Sequence, residues 1–258
     1  MRIASVITSS LLAVTACAST GDEPSATSVY DPLEGWNRQV YAFNDGVDRA
    51  VLEPVAKGYR AVTNEPVRGG VSNFLRNLNQ PVVFANTVLQ GKPGAAIDTF
   101  SRFALNSTFG VAGIFDLATM ADVPEHREDF GQTLGVWGVP NGPYLVLPLM
   151  GSSNLRDVAG FGVDAAFDPL NYAEFDGDTE FRIGKTVAGI VSVRENLIEA
   201  VEVLRDQPEP YVALRRNYTQ QRAAAIRDGR EQEDPFKDLP DFDAYDFGDE
   251  EEFESQEE

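Results

Sequence analysis

Apolar side chains recur at helical spacing along most of this chain and at strand spacing almost nowhere. That pattern commits it to a mostly α architecture. Trp36, Val40, Phe43, Val47 and Val51 form one stripe at steps of four and three residues, with Arg38, Asn44, Asp45, Asp48 and Arg49 largely off it. A second pattern runs from Val67 to about Leu78. A third starts near Pro81, a residue suited to a first helical turn, and stops at Gly91; a fourth covers Ala95 to about Asn106. The longest expected helix runs from Asp178 to Asp206. Ile183, Val187, Ile190, Leu197, Val201 and Leu204 share one face, and Arg182, Lys185, Glu195, Glu199 and Glu202 the other,. A last, weakly apolar helix is expected from Pro208 to about Asp228. Such stripes are either the faces of an ordinary core or faces turned toward lipid, and periodicity alone does not decide which.

Residues 130–155 carry no charge, yet they hold Pro140, Pro143, Pro148 and five glycines, which argues against a membrane-spanning helix,. The expectation is a short helix over Asp129–Trp137, a turn at Asn141-Gly142, and an extended apolar segment from Tyr144 to Leu149. Asn154 is placed to cap a following helix, with Asp157 three residues on. No strand-turn-strand series is apparent.

The N-terminus has a different character. Met1 and Arg2 precede an uncharged run, Ile3–Ala16, too short to cross a bilayer and of the length of a secretory signal,. The run ends Val14-Thr15-Ala16-Cys17 at the chain's single cysteine, which resembles a bacterial lipobox. The expected organisation is a signal peptide over 1–16, acylated Cys17 with a small-polar tether over 17–30, a helical body over 31–228 and an acidic tail over 229–258. Ala18 after the cysteine favours sorting to the outer membrane. Several acyl chains at about 0.8 kcal/mol per buried methylene hold a protein firmly on a membrane.

Of the net charge of −20, residues 231–258 account for thirteen negative charges, with fourteen acids against Lys237 alone. The body is therefore only mildly acidic, and nucleic acid is not an expected partner. The tail is expected to be disordered. Phe236, Phe242, Tyr245, Phe247 and Phe253 alternate with its acids, a composition that suits a segment folding on a partner.

Catalytic and cofactor signatures are missing. His126 lies in a charged stretch that reads as a surface loop. No Gly-x-Ser-x-Gly elbow occurs. Gly184-Lys185-Thr186 lacks the upstream glycine of a phosphate loop, because Thr179 stands there,. Glu174, Asp176, Asp178 and Glu180 do not meet the calcium-loop pattern and suit a helix N-terminus. The expectation is a non-enzyme with no cofactor and no metal. A lipase-like hydrolase and a porin-scaffolding structural lipoprotein are the alternatives.

DPLEGWNRQVYAFN (31–44), GVSNFLRNLNQPVVFANTVLQG (70–91), FSRFALNSTFGVAGIFDLA (100–118), EDFGQTLGVWGVPNGPYLVLPLMGSSNLRD (128–157) and DPLNY (168–172) occur in that order. Together they resemble the MlaA family, also called VacJ, over roughly residues 31–228. The resemblance implies a ring of amphipathic helices around a central channel. It also implies an outer-membrane lipoprotein on the periplasmic side, beside a trimeric porin. Such a protein takes stray phospholipids from the outer leaflet and passes them to a periplasmic carrier, which maintains lipid asymmetry. The acidic tail is not a general family feature. Within that frame the lipid-path candidates are Phe43, Asn44, Phe74, Phe103, Gly135, Gly138 and Gly142. The glycines are either hinges or turn residues. Arg215, Arg216, Arg222 and Arg227 are candidates for anionic headgroups, or face the chain's own tail.

Overall fold

The structure, a computed structural model, describes residues 30–228. The expected signal peptide, Cys17, the tether up to residue 29 and the acidic tail lie outside the described residues. Helix α1 (Glu34–Val47) continues through a π turn (Asp48–Leu52) into α2 (Glu53–Val62). Thr63 turns extended (φ −119°, ψ 145°), and Asn64 restarts the helix by accepting from the Val67 N–H at 3.1 Å,. There follow α3 (Glu65–Leu89), α4 (Pro93–Thr108), α5 (Leu117–Met120), α6 (Phe130–Val136), strands β1 (Tyr144–Leu147) and β2 (Gly151–Asn154), and α7 (Leu155–Phe167). A 3-10 turn (Pro169–Asn171) leads to α8 (Asp178–Asn196), α9 (Ile198–Arg205) and α10 (Pro210–Ile226). The mostly α reading holds. The caps at Asn64, Asp129 and Asn154 each accept from a backbone N–H three residues on.

Three expectations need correction. Pro81 does not begin a helix; it sits inside α3, which runs unbroken through it. An interior proline costs about 3 kcal/mol. Here the flanking residues Gln80, Val82 and Val83 are buried, and α3 packs on α4, α6, α7 and α8, so tertiary contacts hold the helix together. The long helix expected over 178–206 is two helices, bent at Leu197 (φ −101°, ψ 9°). The bend lets Arg194 and Arg205 reach one carboxylate, Asp48. Finally, Tyr144–Leu147 is one strand of a hairpin, antiparallel to β2 from Tyr144↔Asn154 to Leu147↔Gly151. Gly-Ser-Ser has poor strand propensity, so partner contacts and not local preference make β2 a strand.

The outer edge of the hairpin is satisfied by a helix. Buried Asn37 donates to the Tyr144 carbonyl (3.0 Å) and accepts from the Val146 N–H (2.9 Å). Asn44, two turns on, donates to the Leu147 carbonyl (2.9 Å) and accepts from the Leu149 N–H (2.8 Å). Two side chains of α1 thus take the place of a third strand. Val40, Tyr144, Val146 and Tyr211 form a small apolar cluster beside this clamp.

Helix packing closes on itself: α3 touches α6, α6 touches α10, α10 touches α9, α9 touches α2, α2 touches α8, and α8 returns to α3. The order of contacts is that of a ring, as the resemblance implies.

Helices α6 and α7 meet backbone to backbone. A Cβ at Gly160 would lie 2.6 Å from the Gly131 nitrogen, whereas one at Gly162 would meet nothing within 4 Å. Gly160→Ala is therefore expected to destabilise by about 1–3 kcal/mol through overpacking. Gly162→Ala, on the same helix, should be neutral or stabilise by about 0.5–1 kcal/mol. Urea denaturation of the two variants beside the parent checks the pair.

Candidate functional site

The usual partition of side chains is reversed in this molecule. Among the described residues eighteen polar or charged side chains are buried against ten apolar ones, while thirty-two large apolar side chains are exposed. The reversal follows the helix faces. On α4, Ala96, Thr99, Arg102 and Asn106 point inward, and Ile97 and Phe100, both at least 60% exposed, point out. On α8, Ser192, Arg194 and Glu195 are buried, and Ile183, Val187, Ile190 and Val193 are exposed. The stripe along α1 and the π turn behaves alike: Trp36, Phe43 and Val51 are exposed, and Val40 alone of the five is buried. The apolar stripes do not close on a shared interior. Monomeric soluble proteins rarely expose large contiguous apolar patches, and such patches mark contact with membrane or a partner.

Buried polar groups need partners, and here most have them; the exceptions include Tyr59 Oη, Asn77 Oδ1, Gln90 Oε1 and Arg194 Nη1. Arg102 donates to both oxygens of Asp116 (2.9 and 2.8 Å), which also accepts from Asn106 (3.0 Å). Asp164 accepts from the Phe130 N–H (3.0 Å) and Asn86 (2.8 Å). Tyr218 donates to Asp157 (2.5 Å), and Arg222 bridges Asp157 and Asp129. Burial and the Asp157 carboxylate together push the Tyr218 hydroxyl far above its ordinary pKa.

A second network ties α1 and α2 to α8 and α9. Arg194 engages Asp48 through Nε (2.6 Å) and Nη2 (2.9 Å). Arg205 donates to Asp45 (2.8 Å), Asp48 (2.7 Å) and Glu53 (2.6 Å). Arg60 holds Glu195 (2.7 Å) and Glu199. The π turn makes this possible, because its wider step stacks Asp48 over Glu53, five residues on,. Lys57 first and Arg205 second hold the Glu53 carboxyl at about 2. Beside the network lies a cavity of about 180 Å³ lined by Tyr41, Asn44, Asp45, Arg194, Leu204 and Leu214 among others.

Two apolar grooves open to the surface. One, of about 760 Å³, lies between α3 and α8 and includes Phe74, Phe115 and Phe181. The other, of about 510 Å³, lies between α3 and α4 and includes Phe84 and Phe100.

The lipid-path candidates are not brought together. Asn44 lines the inner cavity, Phe74 the α3–α8 groove, Phe43 is exposed on α1, and Phe103 is half-buried on α4. The glycines have structural reasons: Gly138 and Gly142 take positive φ (88° and 67°), and a side chain at Gly135 would strike Ile226 and Arg156. Of the arginines, Arg215 is held by Asp31 (2.7 Å) and Glu34 (3.2 Å), and Arg222 by Asp129 and Asp157. Arg227 ends α10, and Arg216 is exposed. His126 pairs with Asp98 at 2.9 Å. Gly184-Lys185-Thr186 lies within α8, where Lys185 binds Asp168 (2.6 Å). Among the described residues no group of three or more His, Cys, Asp or Glu is arranged for a metal, and no helix is long and apolar enough to cross a membrane. The sequence reading missed Asn37, Arg194 and Arg205. The signal for Asn37 was its spacing of seven from Asn44, two helical turns on one face.

These features define a helical protein with a largely paired polar interior and many exposed apolar side chains. The chain belongs to the MlaA lipoprotein family, whose model matches residues 29–225. It is 38% identical over 208 residues to the intermembrane phospholipid transport system lipoprotein MlaA of Shigella flexneri, covering 79% of this chain and 80% of that one. The Haemophilus influenzae protein of the same name is 33% identical over 235 residues, covering 89% and 93%. A solved structure, from work on the structural basis for maintenance of bacterial outer membrane lipid asymmetry, is similar at a TM-score of 0.68 and 36% identity. It covers 76% of this chain and 98% of that one.

Arg222→Ala strands two carboxylates, one of them buried, and is expected to cost about 3 kcal/mol. Arg216→Ala, at an exposed position, should stay within about 0.5 kcal/mol. Chemical denaturation of both variants measures the contrast.

Acid sensitivity follows from the second network. Glu53 is depressed in the folded state, from 4.5 to about 2. Its contribution is therefore full above 4.5 and disappears as pH falls toward 2. Asp129 is also lowered: burial opposes ionisation there, but Arg222 outweighs it. Asp164, raised by burial, works in the opposite direction. Tm is expected to hold from pH 7 to about 5 and then to fall, and Glu53→Gln should flatten that fall. Thermal melts across the range provide the check.

Proposed function

We propose that this protein is the outer-membrane component of an intermembrane phospholipid transport system. It removes phospholipids that have strayed into the outer leaflet of the outer membrane and passes them to a periplasmic carrier. The observation that carries the reading is the reversal of side chains: apolar faces outward on α1, α4 and α8, and charge and amide groups inward. An outward apolar face suits acyl chains at about 0.8 kcal/mol per methylene kept from water. Inward-facing charged and amide groups suit a headgroup. Lipid moving down its own free-energy gradient needs neither fuel nor bond cleavage. The names of the relatives, with their coverage and identity, support the same assignment.

In this reading Cys17 carries the acyl anchor after cleavage behind residue 16. The body then sits at the inner leaflet on the periplasmic side, beside a trimeric porin. Residues 17–30 are the tether, and the acidic tail from 229 is the segment available to a carrier. Arg216, exposed on α10, is the arginine of the four best placed to meet an anionic headgroup.

The test is outer-leaflet phospholipid in a strain lacking the chain, complemented by the parent or by Cys17→Ala. Excess surface phospholipid is expected in the deletion, full correction by the parent, and poor correction by the variant. Normal surface lipid in the deletion would overturn the assignment, and full correction by Cys17→Ala would overturn the anchor.

A further inference from the structure

We infer that the cavity between α1, α8, α9 and the hairpin is a headgroup site selective for zwitterionic over anionic phospholipid. The inference rests on the transport reading and specifies its substrate.

The first observation is an unsatisfied donor. Arg194 is buried, and its Nε and Nη2 are both committed to Asp48, which fixes the plane of the guanidinium. Its Nη1 is buried without a hydrogen-bond partner. Buried guanidinium N–H groups are normally satisfied, and of the atoms left unpaired in this structure this one belongs to a residue that lines the cavity beside the charge network, which is where we place its acceptor. Arginine pairs well with phosphate oxygens.

The second observation is the charge balance of the lining. Asp45 and Asp48 face Arg194 and Arg205 across the same cavity, and with Glu53 on Arg205 and Arg49 on Asp45 the balance is three carboxylates against three guanidiniums. A neutral site gains little from taking up a net anion. A headgroup with its own ammonium adds no net charge. Its phosphate meets Arg194 Nη1, and its ammonium meets the ring of Tyr41, a π face that attracts cations, and shares Asp45, whose two oxygens accept one hydrogen bond each from Arg49 and Arg205 and keep further lone pairs,. Size agrees. About 180 Å³ holds the equivalent of about six waters, which suits a phosphate with a short substituent and not an acyl chain. The chains have the apolar walls, Leu204 and Leu214, on which to enter.

Calorimetric titration of the purified full-length protein with dihexanoyl phosphatidylethanolamine and dihexanoyl phosphatidylglycerol isolates the headgroup, since the acyl parts are identical. Binding of the ethanolamine lipid is expected to be about tenfold tighter. Asp45→Asn should abolish the preference. Arg194→Lys, which keeps a charge for Asp48 but lacks Nη1, should weaken the ethanolamine lipid about tenfold. Glycerophosphoethanolamine should compete, and inorganic phosphate should not. Equal or tighter binding of the glycerol lipid, an unchanged ratio in Asp45→Asn, or competition by phosphate alone would each overturn the site. Should Arg194→Lys fail to fold, Asp45→Asn still decides, because Asp45 lies at the partly exposed rim of the network. A preference that persists while the deletion strain keeps normal surface lipid would retain the site and remove the transport role. Excess surface lipid without a preference would do the reverse.

Discussion

What holds this protein together is the pairing of polar groups inside it. A buried amide or charge without a partner costs several kcal/mol, so a fold with more buried polar than buried apolar side chains must satisfy nearly all of them. The consequence is geometric. Helices of this kind cannot slide on one another as oily surfaces can, because each contact is fixed by particular donors and acceptors. Arg102 on Asp116, Asn86 on Asp164 and Arg194 on Asp48 set the spacing of α4, α3 and α8 to within a hydrogen-bond length.

The same logic explains why the hairpin and α1 belong to one unit. A two-stranded hairpin is marginal alone. Asn37 and Asn44 give it the hydrogen bonds of a third strand, and they occupy one face of α1 because seven residues make two turns. That face continues into Asp45 and Asp48, so the clamp on the hairpin and the charge cluster on α8 and α9 share one helix. The π turn then carries the acidic face past Val47 to Glu53 without a break in the helix. Loss of the insertion would rotate Glu53 away from Arg205. A π turn placed where charges converge accords with the general association of such turns with functional segments.

Much of the helical framework was legible in the sequence, because a 3.6-residue apolar period survives whichever way the stripe faces. The direction was not legible. Ile183, Val187 and Ile190 read the same whether they pack on protein or on lipid, and only the placement of Arg194 and Glu195 on the inner side separates the two cases. Boundaries failed where tertiary contacts overrode local signals. Pro81 carries a start signal, yet α3 passes through it because both flanks are packed. The chain bends at Leu197, which is a good helix former, so that two arginines share Asp48. Strand β2 has no apolar alternation to display. Cavity residues such as Arg194 and Arg205 were invisible for a simpler reason: on a helix, arginines beside glutamates read as a solvated face, and their partners lie some 150 positions away.

An apolar exterior also changes what stability means for this chain. The favourable term in an ordinary domain is apolar surface removed from water, roughly 25 cal/mol per Å². Here much of that surface lies on the outside of α3, α4 and α8, and folding in water alone does not remove it. The hydrophobic gain is completed only when the grooves lined by Phe74, Phe84 and Phe100 are covered. The medium against those faces is therefore one component of the folded state, in the linkage sense that whatever binds the native form alone stabilises it. A polar network that holds its geometry before the faces are covered solves the resulting problem of order. The charge pairs and asparagine clamps define the ring, and lipid then acts on a shape already made.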